Sequence, residues 1–306
     1  MGYRFAALNA VISGFAVFIN SIGVKMFPDS TVYTTLKNGV VAVCVLAAFL
    51  AVGTLRREVV RLNRRQWRLL LLIALAAGSI AYALDFRGLQ LSTAATAALI
   101  DHSQFLFVAA LAAVVLHERA TRALLTALLV LAAGLALSVQ LHAVRIDPGV
   151  PFLIGGTIMF AIGAVLMKVA LRTVSVATVM GVKMVLGAAV LAAYVVLTGR
   201  VGVATHLTAL QWGFAIVTGL ILLAFTITEM IGLRHASATG VTAISAGAPI
   251  ITVLLAYAGQ RIAVTPLQWI GLGAALAAVL TIYTVGWRQE RHASNAARLA
   301  GTAPVS

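Results

Sequence analysis

Apolar stretches of about twenty residues, the length that crosses a hydrocarbon core, follow one another along this chain with only short polar breaks between them. The pattern predicts ten helices, at residues 4–25, 31–54, 67–86, 93–116, 122–140, 151–170, 176–198, 210–231, 237–258 and 266–287. The expected fold is therefore an all-α integral membrane protein with ten transmembrane helices. Composition agrees: of 306 residues, 62% are hydrophobic and only 10% charged, which excludes an ordinary soluble domain.

The net charge of +14 raises the question of a nucleic-acid partner, and the placement of the arginines answers it. With the N-terminus in the cytoplasm, Arg4, Arg56, Arg57, Arg61, Arg64, Arg65, Arg68 and most later arginines fall in inner loops. Only Arg87, Arg145, Arg200 and Arg261 fall outside. That asymmetry is a topology signal, so both termini are expected in the cytoplasm and no nucleic acid is expected; the expected location is a bacterial inner (plasma) membrane. Arg57, Arg61, Arg64 and Arg68 recur at helical spacing, as a basic turn lying on an anionic membrane surface would require. Cys44, the only cysteine, lies within an apolar span and allows neither a disulfide nor a thiolate metal site. The first apolar segment is long and lacks a small-residue cleavage pattern, so it reads as a first helix and not as a signal peptide. Residues 288–306 are polar and are expected to form a disordered cytoplasmic tail.

The two halves repeat one another. Gln66-Trp67, opening the third helix, recurs as Gln211-Trp212 opening the eighth, and Gly88-Leu89 recurs as Gly232-Leu233. On the second of these offsets Asp85 falls on Glu229, and allowing for small loop differences Lys25 falls on Lys168 and Lys37 on Lys183. The chain thus divides into residues 1–143 and 144–287, each with five helices. An odd number of spans forces the repeats into opposite orientations, an architecture of secondary transporters that work by alternating access.

The residues His117-Glu118-Arg119-Ala120-Thr121 at the end of the fourth helix, Gly134 in the fifth, the partial echo Gly259-Gln260-Arg261 with Gln268-Trp269 and Gly271, and Pro249 in the ninth helix carry a further signal. In these the chain resembles the drug/metabolite transporter superfamily, and within it the EamA-type proteins with two EamA repeats. It departs from that pattern at Phe105, which occupies the position of Pro249, and at Gln260, which replaces a glutamate. The resemblance implies export of amino acids or other small metabolites; relatives exchange nucleotide sugars or phosphorylated sugars.

Depth can be assigned to each ionisable group. Lys25, Lys37 and Asp85 belong to the outer side, and Lys168, Lys183 and Glu229 to the inner side. Lys37 lies about five residues past its helix start, a depth of roughly 7 to 8 Å. All four lysines of the chain fall in these two groups, although an ammonium at the bilayer centre costs roughly 2.5 to 3.5 kcal/mol on insertion scales. Snorkelling along the lipid boundary accounts for a lysine near a helix end. The sharper reading is a pair of gates, in which lysine and carboxylate join when a mouth is shut and part when it opens.

Between these groups the fourth helix carries Asp101-His102-Ser103-Gln104, which the second repeat replaces with Ser245, Ala246, Gly247 and Ala248. Asp101 and His102 are candidates for a proton relay, with a hydrogen-bonded interhelical network as the alternative. Gln104 belongs to the same polar stretch. Asn9, Ser13 and Asn20 form a stripe on the first helix that either lines the pathway or binds helices together. Tyr33 lies one turn before Lys37 and can share its pocket wall.

Catalysis fits poorly. His117-Glu118 lacks the second histidine of a zincin helix, and neither a Gly-rich phosphate loop nor a nucleophile elbow occurs. No enzyme activity and no cofactor are expected. The reading is a secondary transporter exporting a small polar metabolite, an amino acid or small organic anion. Its partners are that metabolite and the lipid bilayer, with protons as a candidate coupling ion and a monomer or homodimer as the assembly. The alternative is a membrane sensor or assembly protein of the same fold that transports nothing.

Overall fold

The structure, a computed structural model, describes residues 1–118, 121–139, 144, 146–260 and 264–299. Arg119, Arg145 and Arg261 lie outside the described residues. Among those described, nine helices are long and apolar enough to cross a membrane, and a tenth, Arg122–Ser138, is shorter at 17 residues. Span one is α1 (Gly2–Met26) and span two α2 (Ser30–Ala51). A nine-residue connector, α3 (Gly53–Arg61), leads to span three, where α4 (Arg64–Leu75) and α5 (Ala81–Leu91) are joined by a π-helical turn at Ala76–Ile80. Span four is broken into α6 (Ala94–His102) and α7 (Gln104–Leu111), followed by a second π turn at Ala112–Leu116; span five is α8 (Arg122–Ser138). Spans six and seven are α9 (Val150–Ala170) and α10 (Val176–Leu197). Beyond α11 (Val201–Thr205) come span eight, α12 (Ala209–His235), span nine, broken into α13 (Ala238–Ser245) and α14 (Ala248–Gln260), and span ten, α15 (Pro266–Leu299).

The last helix runs well past the expected boundary at residue 287. The segment expected to be disordered from Arg288 is helical to Leu299, in keeping with its alanines and its alternation of Gln289, Glu290 and Arg291. Glu290 also takes an ion pair from the N-terminal ammonium at 2.8 Å, which puts the N-terminus and the end of span ten on one face, here called the termini face.

The Gln-Trp pair that marks each repeat has a physical role at helix starts. Gln66 closes a capping box with Asn63, and Gln211 closes one with Thr208. The spare amide of each glutamine then reaches into the other repeat: Gln66 Nε2 donates to the Thr173 carbonyl at 3.5 Å, and Gln211 Nε2 to the Met26 carbonyl at 2.6 Å. One residue type at one register thus ends an apolar run, starts a helix and ties the halves together on opposite faces.

Packing interleaves the repeats symmetrically. Span one lies against spans eight and nine, span six against three and four, span two against seven and eight, and span seven against two and three. Spans five and ten pair with each other at one side. Gly134 and Gly271 make that pairing possible, because a Cβ at Gly134 would come within 2.7 Å of the Gly271 carbonyl oxygen. Spans three and seven touch as closely, with a Cβ at Gly187 falling 2.5 Å from the Gly78 carbonyl oxygen.

The core is unevenly distributed along the membrane normal. The large contiguous cluster takes in the termini-face ends of most spans, with Tyr3, Ala170, Leu171, Val174, Leu233 and Val241 all buried. On the opposite face, Phe27, Tyr33 and Ala215 form a small cluster of their own.

Candidate functional site

The mirrored charges sit at matching depths. Lys37 lies seven residues past Ser30 and Lys183 seven past Val176; Asp85 precedes the end of α5 by six residues and Glu229 that of α12 by six. At 1.5 Å per residue these are depths of about 10 Å. Lys37 is deeper than its sequence position suggested because Asp29 accepts hydrogen bonds from Thr31 and Val32 N–H and starts the helix at Ser30. Both lysines are buried, at 8% and 5% exposure, so neither snorkels into lipid.

Their partners differ. Lys183 Nζ lies 4.0 Å from Glu229 Oε2. Lys37 has no ion pair within that distance among the described residues. Its ammonium donates a long bond of 3.4 Å to Asn20 Oδ1, which also accepts from the Tyr33 hydroxyl at 2.6 Å, and it lies 5.4 Å from the Tyr33 ring centroid. Asp85 is nearby and feels the Lys37 charge, but its Oδ1 is buried with no hydrogen-bond partner. Asp101 is close enough to Asp85 for the two carboxyls to influence one another. Tyr82, which the sequence did not single out, lies between the two sets and within electrostatic reach of both Asp85 and Glu229. Thr157 of α9 borders Asp101.

Of the expected outer and inner groups, two lysines fall away from these centres. Lys25 is exposed in the last turn of α1. Lys168 donates to the carbonyls of Leu233 and Ala236 at 2.6 Å each, so it neutralises the C-terminus of α12 and does not face Glu229. His102 and Gln104 are half-buried beside the break in span four, with no hydrogen bond to Asp101 among the described residues. Asn9 is fully buried and satisfied: it donates to the Phe225 carbonyl and the Thr228 hydroxyl and accepts from Ser245. It binds spans one, eight and nine together, whereas Asn20, in the same stripe, turns toward Lys37.

Spans four and nine break at equivalent points, at Ser103 and at Ala246-Gly247. Pro249 comes after the second break, and Phe105 takes its place in the first. There Ser103 Oγ donates to the Ile100 carbonyl at 2.6 Å and so terminates the helix without proline. Irregular backbone at membrane depth persists only where protein covers it or a cavity adjoins it, and paired broken helices accompany binding sites in transporters.

Carboxylates from elsewhere in the chain close the ends of these helices. Glu118 accepts from Ala238 and Thr239 N–H and from the Thr239 hydroxyl at the start of α13. At the opposite face Asp147 accepts from the Ser92 hydroxyl and Thr93 N–H at the start of α6. Glu58 of α3 takes Ser175 N–H and the Ser175 and Thr178 hydroxyls at the start of α10. Hydrogen bonds from Ser92, Thr93 and Gly149 hold Asp147 below the ordinary carboxylate range. A separate cavity of about 400 Å³ opens at the termini face between spans four, five and ten; apart from Tyr3, Glu118, Gln289 and the hydroxyls of Ser237 and Thr239 it is walled by small and aliphatic residues.

The sequence profile of the EamA-like transporter family matches residues 1–140 and again 147–284, so both five-helix halves are covered. The chain belongs to the EamA-like transporter family. This EamA-like transporter is an integral membrane protein of the drug/metabolite transporter superfamily, and its family transports small molecules across the bilayer. No curated protein is found to match it. A solved crystal structure, described only as that of a protein, has the same fold with a TM-score of 0.74 and 17% identity, covering 93% of this chain and 98% of its own.

Proposed function

We propose that this EamA-like transporter moves a small zwitterion, an amino acid, out of the cytoplasm by alternating access, with the termini face cytoplasmic. The arginine distribution supports that orientation. The observation that carries the substrate class is the pairing at the less densely packed face of an ammonium without an ion pair, Lys37, and a carboxylate oxygen without a donor, Asp85 Oδ1. A molecule with both a carboxylate and an ammonium complements both, whereas a simple organic anion leaves the acid side unanswered. The gate reading is supported in turn by packing: at the densely packed face lysine and carboxylate are joined, as Lys183 and Glu229, and at the other face Lys37 and Asp85 are apart.

Thermal melting of the purified protein against amino acids, organic acids and phosphorylated metabolites tests this. A ligand at a hundred times its Kd adds about 2.7 kcal/mol, so an amino acid should raise the melting temperature in wild type and not in Lys37→Met. Stabilisation by organic anions alone would overturn the zwitterion assignment. Counterflow of the stabilising amino acid in proteoliposomes then separates a transporter from a sensor, which binds without moving its ligand.

A further inference from the structure

Arg56, Arg57, Arg61, Arg64, Arg65 and Arg68 are all exposed, on α3 and the start of α4, and none makes an ion pair within 4.0 Å among the described residues. Their helical spacing in sequence does not make one face in the fold. The chain turns extended at Leu62 and Asn63 and starts again in the Asn63–Gln66 capping box. On α3 itself, at 100° per residue, Arg56, Val60, Arg57 and Arg61 share an arc of about 140°, and Leu55, Glu58 and Val59 lie opposite. Burial agrees, for the first four are exposed, Val60 to 85%, and the other three are half-buried. The only acid of α3 therefore faces inward, where it is occupied. Glu58 accepts from Ser175 N–H at 2.8 Å and from the Ser175 and Thr178 hydroxyls at the start of α10.

Span two ends at Ala51 and span three begins at Arg64, so α3 runs where two membrane-crossing helices leave the bilayer on the termini face. A valine exposed among arginines gains nothing from water, whereas the boundary of headgroups and acyl chains accepts both the apolar side chain and the cations. Guanidinium matches a phosphate through paired N–H donors, and each cation beside an anionic leaflet strengthens association roughly fivefold. We infer that the outward face of α3 binds the phosphate headgroups of anionic phospholipids, and that the bound lipid keeps Glu58 on the start of α10. One helix then has a partner on each face, lipid outside and span seven inside, so the anionic lipid content of the leaflet sets how firmly the termini face is shut. The lipid site stands on the charge and geometry of α3 alone; the closure half rests on the gate reading. The equivalent connector of the second repeat, α11, carries no charge, and the arginine before it is already paired, Arg200 Nη1 lying 3.1 Å from Asp29 Oδ2 at the start of α2. The lipid-facing cations are thus peculiar to one repeat and one face.

Full-length protein in phosphatidylcholine liposomes, with and without phosphatidylglycerol, tests both halves. Spin-labelled phosphatidylglycerol should be retained at the wild-type protein, and at least about tenfold more weakly at Arg56→Gln/Arg57→Gln/Arg61→Gln, which keeps Arg64, Arg65 and Arg68 as an inner-loop signal. Arg56→Lys/Arg57→Lys/Arg61→Lys preserves the charge and should preserve the retention. Equal retention in wild type and the glutamine triple, or loss in the lysine triple as well, overturns the site. Glycerol phosphate should displace the lipid no better than sodium chloride of equal ionic strength; specific displacement would assign the arginines to a free phosphate compound and overturn the bilayer as the source. Closure is read on a cysteine at Val174, buried next to the Glu58 contact, in a Cys44→Ala background. Phosphatidylglycerol should slow its reaction with an impermeant maleimide from the termini side several-fold when Glu58 is intact, and leave it unchanged in Glu58→Gln, which should still retain the lipid. No slowing with Glu58 intact, or equal slowing in Glu58→Gln, overturns the closure half and leaves the lipid site standing.

Discussion

Lys37 and Lys183 occupy the same place in the two repeats, seven residues into spans two and seven, yet one is joined to its acid and the other is not. The local sequence does not separate them, since each faces a span that carries a carboxylate six residues from its end. What separates them is the packing around each. At the Lys183 level spans three and seven approach until Gly187 meets the Gly78 carbonyl, and the core is continuous from there to the termini face. At the Lys37 level the neighbours are Asn20, Tyr33 and an acid pair, above a small separate cluster. Two copies of one pattern are therefore held in two different arrangements within a single molecule, an asymmetry that the proposed alternation between two faces would use.

The comparison breaks most visibly at Lys183. Replacing it with methionine leaves the half-buried Glu229 without its partner, and loss of one partner of a buried ion pair costs up to about 3 to 5 kcal/mol. Lys37→Met removes a long hydrogen bond, a ring contact and a charge that Asp85 feels without an ion pair, a smaller loss than that of a joined pair, while removing the charge proposed to meet the substrate. The expected result is a marked fall in melting temperature for Lys183→Met with recovery in Lys183→Met/Glu229→Met, and a near-normal melting temperature with lost transport for Lys37→Met. Equal destabilisation by the two single substitutions would mean that the two lysine sites are in the same state.

That contrast also marks how far the sequence could be read. The ten spans, the repeat and the mirrored Lys and acid positions were legible, because apolar length and a fixed offset are local properties. The proximity of Asp85 to Asp101 was not. The π turn at Ala76–Ile80 inserts a residue between the start of span three and Asp85, rotating the remainder of the span by about 100° from an uninterrupted helix. Lys168 was legible as an intramembrane cation but not as a helix cap, since its two carbonyl partners lie 65 and 68 residues away. Glu118 was recognisable as part of a motif. That it caps the start of span nine, 120 residues later, is set only by the packing of one repeat against the other.

Glu118 gives the next largest effect. It ties the end of span four to the start of α13 at the densely packed termini face, and loss of a capping acceptor costs about 1 kcal/mol, which under the proposed gating is roughly a fivefold gain in the population of the opened face. In Glu118→Ala, a cysteine placed at Ala236, buried at the closed face, should react several-fold faster with a membrane-impermeant maleimide applied from the termini side. The same reagent applied from the opposite side should give no such gain. An unchanged rate from the termini side would make Glu118 a cap with no part in closure.

The smallest effect should come from acid. Partial burial pushes the Glu58 carboxyl up, but the hydrogen bonds from Ser175 and Thr178 outweigh it and hold the group below its ordinary value of 4.5. A carboxyl depressed in this way adds stability that is fully present above its unfolded value and is lost as pH falls through the folded one. The melting-temperature difference between wild type and Glu58→Gln should therefore be constant above about pH 4.5 and close as the pH is lowered further. Asp147 titrates in the same direction at the opposite face, so acid alone does not favour one mouth, and the two substitutions can be told apart only by where the protein loosens. Glu58→Gln should speed labelling from the termini side, where the packing is dense. Asp147→Asn should change labelling less, because the face it serves is already the less densely packed one. A larger response to Asp147→Asn would reverse the assignment of which mouth is closed.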